Sequence, residues 1–127
     1  MLKTRRNEVS FDWREFLELA KGLAGWPGVN YSAEAARRSA VSRAYYAAFC
    51  WARGYAETNL GFRRTGTAED HRLLRELFKK RKPLLASTLN RLRGWRNDCD
   101  YEDQISNLHY YVQNAIKAAG DVIRQCR

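Results

Sequence analysis

No run of 18 apolar residues occurs in the chain, so the sequence offers no segment of the length and character needed to span a bilayer as a helix. The opening residues, Met1-Leu2-Lys3-Thr4-Arg5-Arg6, lack the hydrophobic segment of a secretory signal, which predicts a cytoplasmic protein. Cysteine is sparse: Cys50, Cys99 and Cys126 are widely spaced and form no Cys-x-x-Cys pair, arguing against a disulfide framework and a structural zinc site. They are expected to be reduced thiols, with Cys99 buried because it continues an apolar stripe. A phosphate-cradling Gly-Lys loop, a Gly-x-Ser-x-Gly elbow and an Asp-x-Asp-x-Asp-Gly loop are all missing, which removes the usual signatures of P-loop enzymes, serine hydrolases and calcium loops. Acidic residues are also few. Fourteen of them face 23 basic residues, giving a formal charge of +9 and pointing to an acidic partner, with nucleic acid first. Lysine is the minor base, and arginine suits bidentate phosphate contacts and stacking on bases.

What is present is helical pattern. A chain of 127 residues that is 45% apolar can build one core, and residues 1–127 read as a single all-α domain. From residue 10 to 24, Trp13, Phe16, Leu17, Ala20, Leu23 and Ala24 recur at steps of three and four, with Asp12 and Glu15 as an approximate capping pair. Pro27 between Gly25 and Gly28 marks a turn. Ser32 can cap a central helix over residues 33–57, striped by Val41, Ala44, Tyr45, Ala48, Ala52 and Tyr55. Residues 58–67 read as an exposed basic loop around Arg63 and Arg64. Thr67 and Asp70 resemble a capping box for a third helix, which Pro83 kinks or splits before it continues through Leu85, Leu89, Leu92, Trp95 and Cys99. The last helix is expected to begin near Asp103 and to run through Ile105, Leu108, Val112, Ala115 and Val122, with His109 at its edge. Four amphipathic segments and no convincing alternating strand predict an antiparallel four-helix bundle with a kinked or split third helix.

The chemistry concentrates in Arg96-Asn97-Asp98-Cys99-Asp100-Tyr101. Arg96 and Asp100 stand four apart and share a helical face, at the edge of the side marked by Leu92, Trp95 and Cys99. That spacing alone also describes a surface ion pair. At a core border, however, packing can fix the two side chains while a substrate reaches them. An aspartate near pH 7 is a base, and a neighbouring arginine is expected to lower its pKa further. Asp98, Asp100, Glu102 and Asp103 cluster, but Arg91, Arg93 and Arg96 would compete with a cation, so neither a metal site nor a cofactor is expected.

Ser42-Arg43-Ala44-Tyr45-Tyr46-Ala47-Ala48-Phe49, then Thr67-Ala68-Glu69-Asp70-His71-Arg72-Leu73-Leu74, then Arg96-x-x-x-Asp100-Tyr101 resembles the HEPN superfamily of small helical proteins. The likeness is strongest to the branch in which an Asp-Tyr pair follows the motif arginine. It implies a helical bundle that dimerises, with the arginine motifs of two subunits lining one cleft, and often metal-independent RNA endonuclease activity. It also implies a possible minimal nucleotidyltransferase antitoxin as partner. By the resemblance Arg96 matches the motif arginine, Asn97 the polar residue after it, Asp100 and Tyr101 the Asp-Tyr pair, and His71 a histidine at the start of the third helix. The active nucleases carry a motif histidine where this chain has Asp100.

Two functions are therefore expected to compete. One is a metal-independent ribonuclease, the toxin or effector of a prokaryotic toxin-antitoxin or defence pair, with Arg96, Asp100, Tyr101, Asn97 and His71 in the catalytic site and RNA held by Arg91, Arg93, Arg63 and Arg64. The other is a non-catalytic module whose basic cleft holds nucleotide, RNA or a nucleotidyltransferase partner. A homodimer is expected in either case, because Tyr45, Tyr46, Phe49, Trp51 and Trp95 exceed what one small core easily absorbs.

Overall fold

Each stretch of three-and-four apolar spacing becomes a helix, and what ends each helix decides where the chemistry lies. The computed structural model describes residues 10–127. The opening stretch Met1-Leu2-Lys3-Thr4-Arg5-Arg6, read above for a secretory signal, lies outside the described residues. Among those described there are five helices and no strand: α1 (Glu15–Leu23), α2 (Ala33–Asn59), α3 (Glu69–Arg81), α4 (Pro83–Tyr101) and α5 (Leu108–Gln125). No helix among them is long and apolar enough to cross a membrane.

Ser32 caps α2 as its sequence position suggests, its Oγ accepting the Ala35 N–H at 3.0 Å. Such a cap stabilises a helix by about 1 kcal/mol. The proposed capping box at Thr67 is replaced by a different device. Asp70 turns its carboxylate back to accept the N–H groups of Thr65 at 2.7 Å and Gly66 at 3.1 Å, so it ties down the loop before α3. Pro83 separates α3 from α4 completely and occupies the first turn of α4, where its missing N–H costs nothing.

Two helix starts differ from the sequence expectation. The first helix begins at Glu15 rather than at residue 10, because Phe11 and Trp13 fold into a small aromatic cluster with Phe16. The last begins at Leu108 rather than near Asp103. The carbonyls of Glu102 and Asp103 are drawn out to Arg38, and Asn107 turns the chain with a positive φ of 60° before the helix can start.

α2 runs through the middle, packing most extensively on α5 and α4, while α3 leans mainly on α4 and α1 on α2. The main core joins Val41, Tyr45, Ala48, Phe49 and Ala52 of α2 to Leu74 and Phe78 of α3, to Leu85, Leu89, Leu92 and Cys99 of α4, and to Ala115, Ala119 and Val122 of α5. Fully burying a leucine or phenylalanine there is worth roughly 1.5–3 kcal/mol. Cys99 is buried and its thiol is pushed up to about 12 by that burial, which makes it a packing group. Tyr45 and Phe49, counted above toward a surplus of aromatic surface, are absorbed by the core, whereas Tyr46 and Trp51 stay exposed.

Candidate functional site

Helix α4 extends to Tyr101, so the four-residue spacing of Arg96 and Asp100 is realised as an ion pair, Nε to Oδ2 at 2.9 Å. Both side chains are about one-fifth exposed, at 20% and 23%. The contact is coulombic more than directional, since the Arg96 Nε–H lacks a well-aimed acceptor although the carboxylate is adjacent. Arg96 Nη1 donates to Asn97 Oδ1 at 2.9 Å. The guanidinium carbon also lies 5.2 Å from the ring centre of Tyr46, 5.9 Å from Tyr45 and 6.0 Å from Tyr101, within reach of cation–π attraction from three rings. Arg96 is thus held from several sides while one-fifth of it faces solvent.

Asp100 opens onto a cavity of ≈ 440 Å³ lined by Phe16 of α1, Ser39, Ser42, Arg43 and Tyr46 of α2, and Tyr101. Burial raises the Asp100 pKa above its ordinary value, and the opposing pull of Arg96, a hydrogen bond from Ser42 and the more distant Arg38 does not overcome it. The expected direction was the reverse. Desolvation at the core border outweighs the arginine, so the carboxyl is more basic than a free aspartate and better matched to proton transfer near neutrality.

His71 sits behind this pair. Its ring stacks on Phe49 with centres 4.0 Å apart and planes 5° from parallel, and its Nδ1 meets the Tyr45 hydroxyl at 2.5 Å. Burial pushes the Tyr45 phenol up to about 12, so it stays protonated and can donate to Nδ1, which leaves the imidazole proton on Nε2. The His71 pKa is lowered, first by burial and then by Arg96, Arg75 and Arg93. Arg75 is itself lowered by burial and by Arg93, marking a close group of partly buried guanidiniums around the Tyr45–His71 pair. Arg75 did not stand out in the sequence, where it reads as the solvated flank of an amphipathic helix.

The remaining site residues divide. Tyr101 is 68% exposed at the mouth of the cavity. Arg93 belongs to the guanidinium group, whereas Arg91 points to solvent and donates to Thr88 Oγ1 at 3.3 Å. Arg64 donates through one edge of its guanidinium to Glu57, from Nε at 2.6 Å and Nη2 at 2.8 Å, so the loop it shares with exposed Arg63 carries less free positive charge than its sequence suggests. His109 is exposed on α5. Among the described residues no three His, Cys, Asp or Glu side chains come together so as to hold a metal ion. Asp98, from the acidic cluster, accepts the Tyr111 hydroxyl at 2.8 Å.

No family model, curated protein or solved structure matches the chain. The site therefore rests on its own geometry.

One residue that holds the site together escaped the sequence reading. Arg38 is fully buried, at 0% exposure, and its guanidinium donates to the carbonyls of Cys99 at 3.0 Å, Glu102 at 2.7 Å and Asp103 at 3.4 Å. Phe11 and Trp13 cover it, with ring centres 4.3 and 5.0 Å from its Cζ, and Glu34 pairs with its Nε at 3.2 Å. This side chain clamps the end of α4, where Asp100 and Tyr101 lie, to α2. A signal existed: Arg38, Val41, Tyr45 and Ala48 share one helical stripe, which places a charge on the buried face.

Burial and the neighbouring arginines make His71 harder to protonate in the fold than in the unfolded chain. The unfolded imidazole titrates near 6.5 and the folded one below it, so stability is full above 6.5 and is lost as pH falls through the folded value. The urea midpoint should decline between pH 7.5 and 5, and His71→Gln should decline less over the same interval. Equal slopes would mean that His71 is as free to protonate in the fold as in the unfolded chain.

Proposed function

We propose that the chain is a HEPN-like, metal-independent RNA endonuclease, the toxin or effector of a prokaryotic toxin-antitoxin or defence pair, working in the cytoplasm with a minimal nucleotidyltransferase as its antitoxin partner. In this reading α1, α2, the α3–α4 pair and α5 are the four segments of an antiparallel HEPN-like bundle. A homodimer brings two Arg96–Asp100 sites into one cleft. The observation that carries it is the Arg96–Asp100 pair, part-buried at the wall of an open cavity with the carboxyl held more basic than usual.

Asp100 takes the proton of a ribose 2′-hydroxyl, and the oxygen attacks the adjacent phosphorus. Arg96, oriented by Asn97 and three aromatic rings, stabilises the charge that grows on the phosphoryl oxygens. The P–O5′ bond breaks, and Tyr101 at the cavity mouth gives its proton to the leaving 5′ oxygen, leaving a 2′,3′-cyclic phosphate. Arg93 and Arg75 extend the positive surface toward flanking phosphates. His71 acts from behind, through Tyr45, by keeping the wall against which Arg96 rests.

A second reading is favoured by the ion pair itself, since an Asp100 already matched to Arg96 can serve a cleft that binds nucleotide, RNA or a nucleotidyltransferase without cutting. Incubating the purified protein with defined RNAs in EDTA separates the two. Products ending in 2′,3′-cyclic phosphate, or its hydrolysis product, are expected, and intact RNA under every metal-free condition would favour the binding module.

A further inference from the structure

We infer that the cavity beside Asp100 holds a single unstacked nucleobase, that of the nucleotide whose 2′-hydroxyl faces the Asp100 carboxyl, and so sets sequence preference on the 5′ side of the scissile phosphate. The inference rests on the RNA reading above. Its support is the composition of the cavity wall, which three separate elements build.

Phe16 from α1, Tyr46 from α2 and Tyr101 from the end of α4 present aromatic rings to one space of ≈ 440 Å³. That volume lies within the range of about 300–1,000 Å³ typical of small-ligand sites, and convergent aromatic rings are how proteins hold bases that have left a stack. Phe16 does not wander: its ring is fixed against Phe11 at 5.1 Å and Trp13 at 5.7 Å, so this wall is in place before any ligand arrives. Between the rings lie Ser39 and Ser42, three residues apart on the same face of α2. The Ser39 hydroxyl can donate and accept, and Ser42, whose proton goes to Asp100, can still accept, a combination that matches the mixed edge of a base better than it matches a hydrocarbon. The wall carries one charge of each sign, Asp100 and exposed Arg43, so it does not offer the concentrated positive charge a buried phosphate needs, and Arg43 can meet a phosphate from the solvent side. A base within and its sugar at Asp100 satisfy both groups.

The test uses short oligoribonucleotides made uncleavable by a 2′-deoxy sugar at the central nucleotide, with that nucleotide carrying each of the four bases or none, and free nucleoside monophosphates as a second probe. Ser39→Leu pushes a bulkier side chain into the cavity while leaving all three rings of its wall in place, and Phe16→Leu removes one ring while keeping most of the bulk. Binding is read by fluorescence anisotropy and calorimetry. Stacking of one base is worth about tenfold or more in affinity, so removing the central base should weaken the parent by at least about that factor for the preferred base. In Ser39→Leu intact and abasic RNAs should bind alike, and in Phe16→Leu the difference between them should shrink, since Tyr46 and Tyr101 remain. If RNA binds but the central base makes no difference to the parent, the base pocket is overturned while the RNA reading stands. If no RNA binds but a nucleoside monophosphate binds the parent and not Ser39→Leu, the pocket is supported and the RNA reading fails. If neither ligand binds, both fall.

Discussion

Replacing Arg38 with Met should cost about 3–5 kcal/mol of stability, the range for breaking a buried charged hydrogen-bond network from one side. The guanidinium is buried, and its acceptors are main-chain carbonyls that a methionine cannot satisfy. This distinguishes it from a buried ion pair, which apolar residues can replace as a pair at little cost. Glu34 adds little to the loss, because it is half exposed and water can take over its charge. Arg38→Lys should recover only part, since one ammonium cannot serve the carbonyls of Cys99, Glu102 and Asp103 together as a planar fork does. Urea denaturation measures the total. Amide exchange should locate the loss, with protection falling most at residues 100–103. A midpoint shift equivalent to less than about 1 kcal/mol would mean that the end of α4 is held by something else.

Arg96→Ala should slow RNA cleavage by roughly 10²-fold or more, the usual consequence of removing a charge that stabilises a transition state. It should also leave a signature in pH that loss of packing would not. Arg96 opposes the burial-driven rise in the Asp100 pKa, so taking it away lets that pKa climb further. The acid limb of the rate profile, where the base must be ionised, should therefore move to higher pH in the variant. An unshifted limb with a lower plateau would place the base elsewhere. Arg96→Lys should restore part of the rate and little of the orientation, since the contact to Asn97 and the planar face toward Tyr46 are lost.

The sequence made the helices and the motif readable because both are local. Val41, Tyr45, Ala48 and Ala52 declare their face by spacing alone, and Arg96 and Asp100 meet because α4 continues past them. Boundaries were less readable where distant groups intervene. The start of α5 shifts to Leu108 because Arg38, 64 residues before Glu102, takes that residue's carbonyl, and no window around Asp103 contains that information. The direction of the Asp100 shift was missed for the same reason: the arginine that lowers it is four residues away and visible, whereas burial between α1, α2 and α4 is a property of the assembled fold. Phe16 reads as an ordinary core residue of α1, and only packing makes it a wall of the cavity.

The most direct measurement is the single-turnover rate of RNA cleavage in EDTA by the parent and by Asp100→Asn, with RNA affinity measured alongside. The substitution keeps the volume and removes the proton acceptor. The expected result is a rate lower by about 10² or more at an affinity changed only a few-fold, with cyclic-phosphate ends in the parent's products. Equal rates in the two proteins would make Asp100 the structural partner of Arg96 and contradict its role as the base.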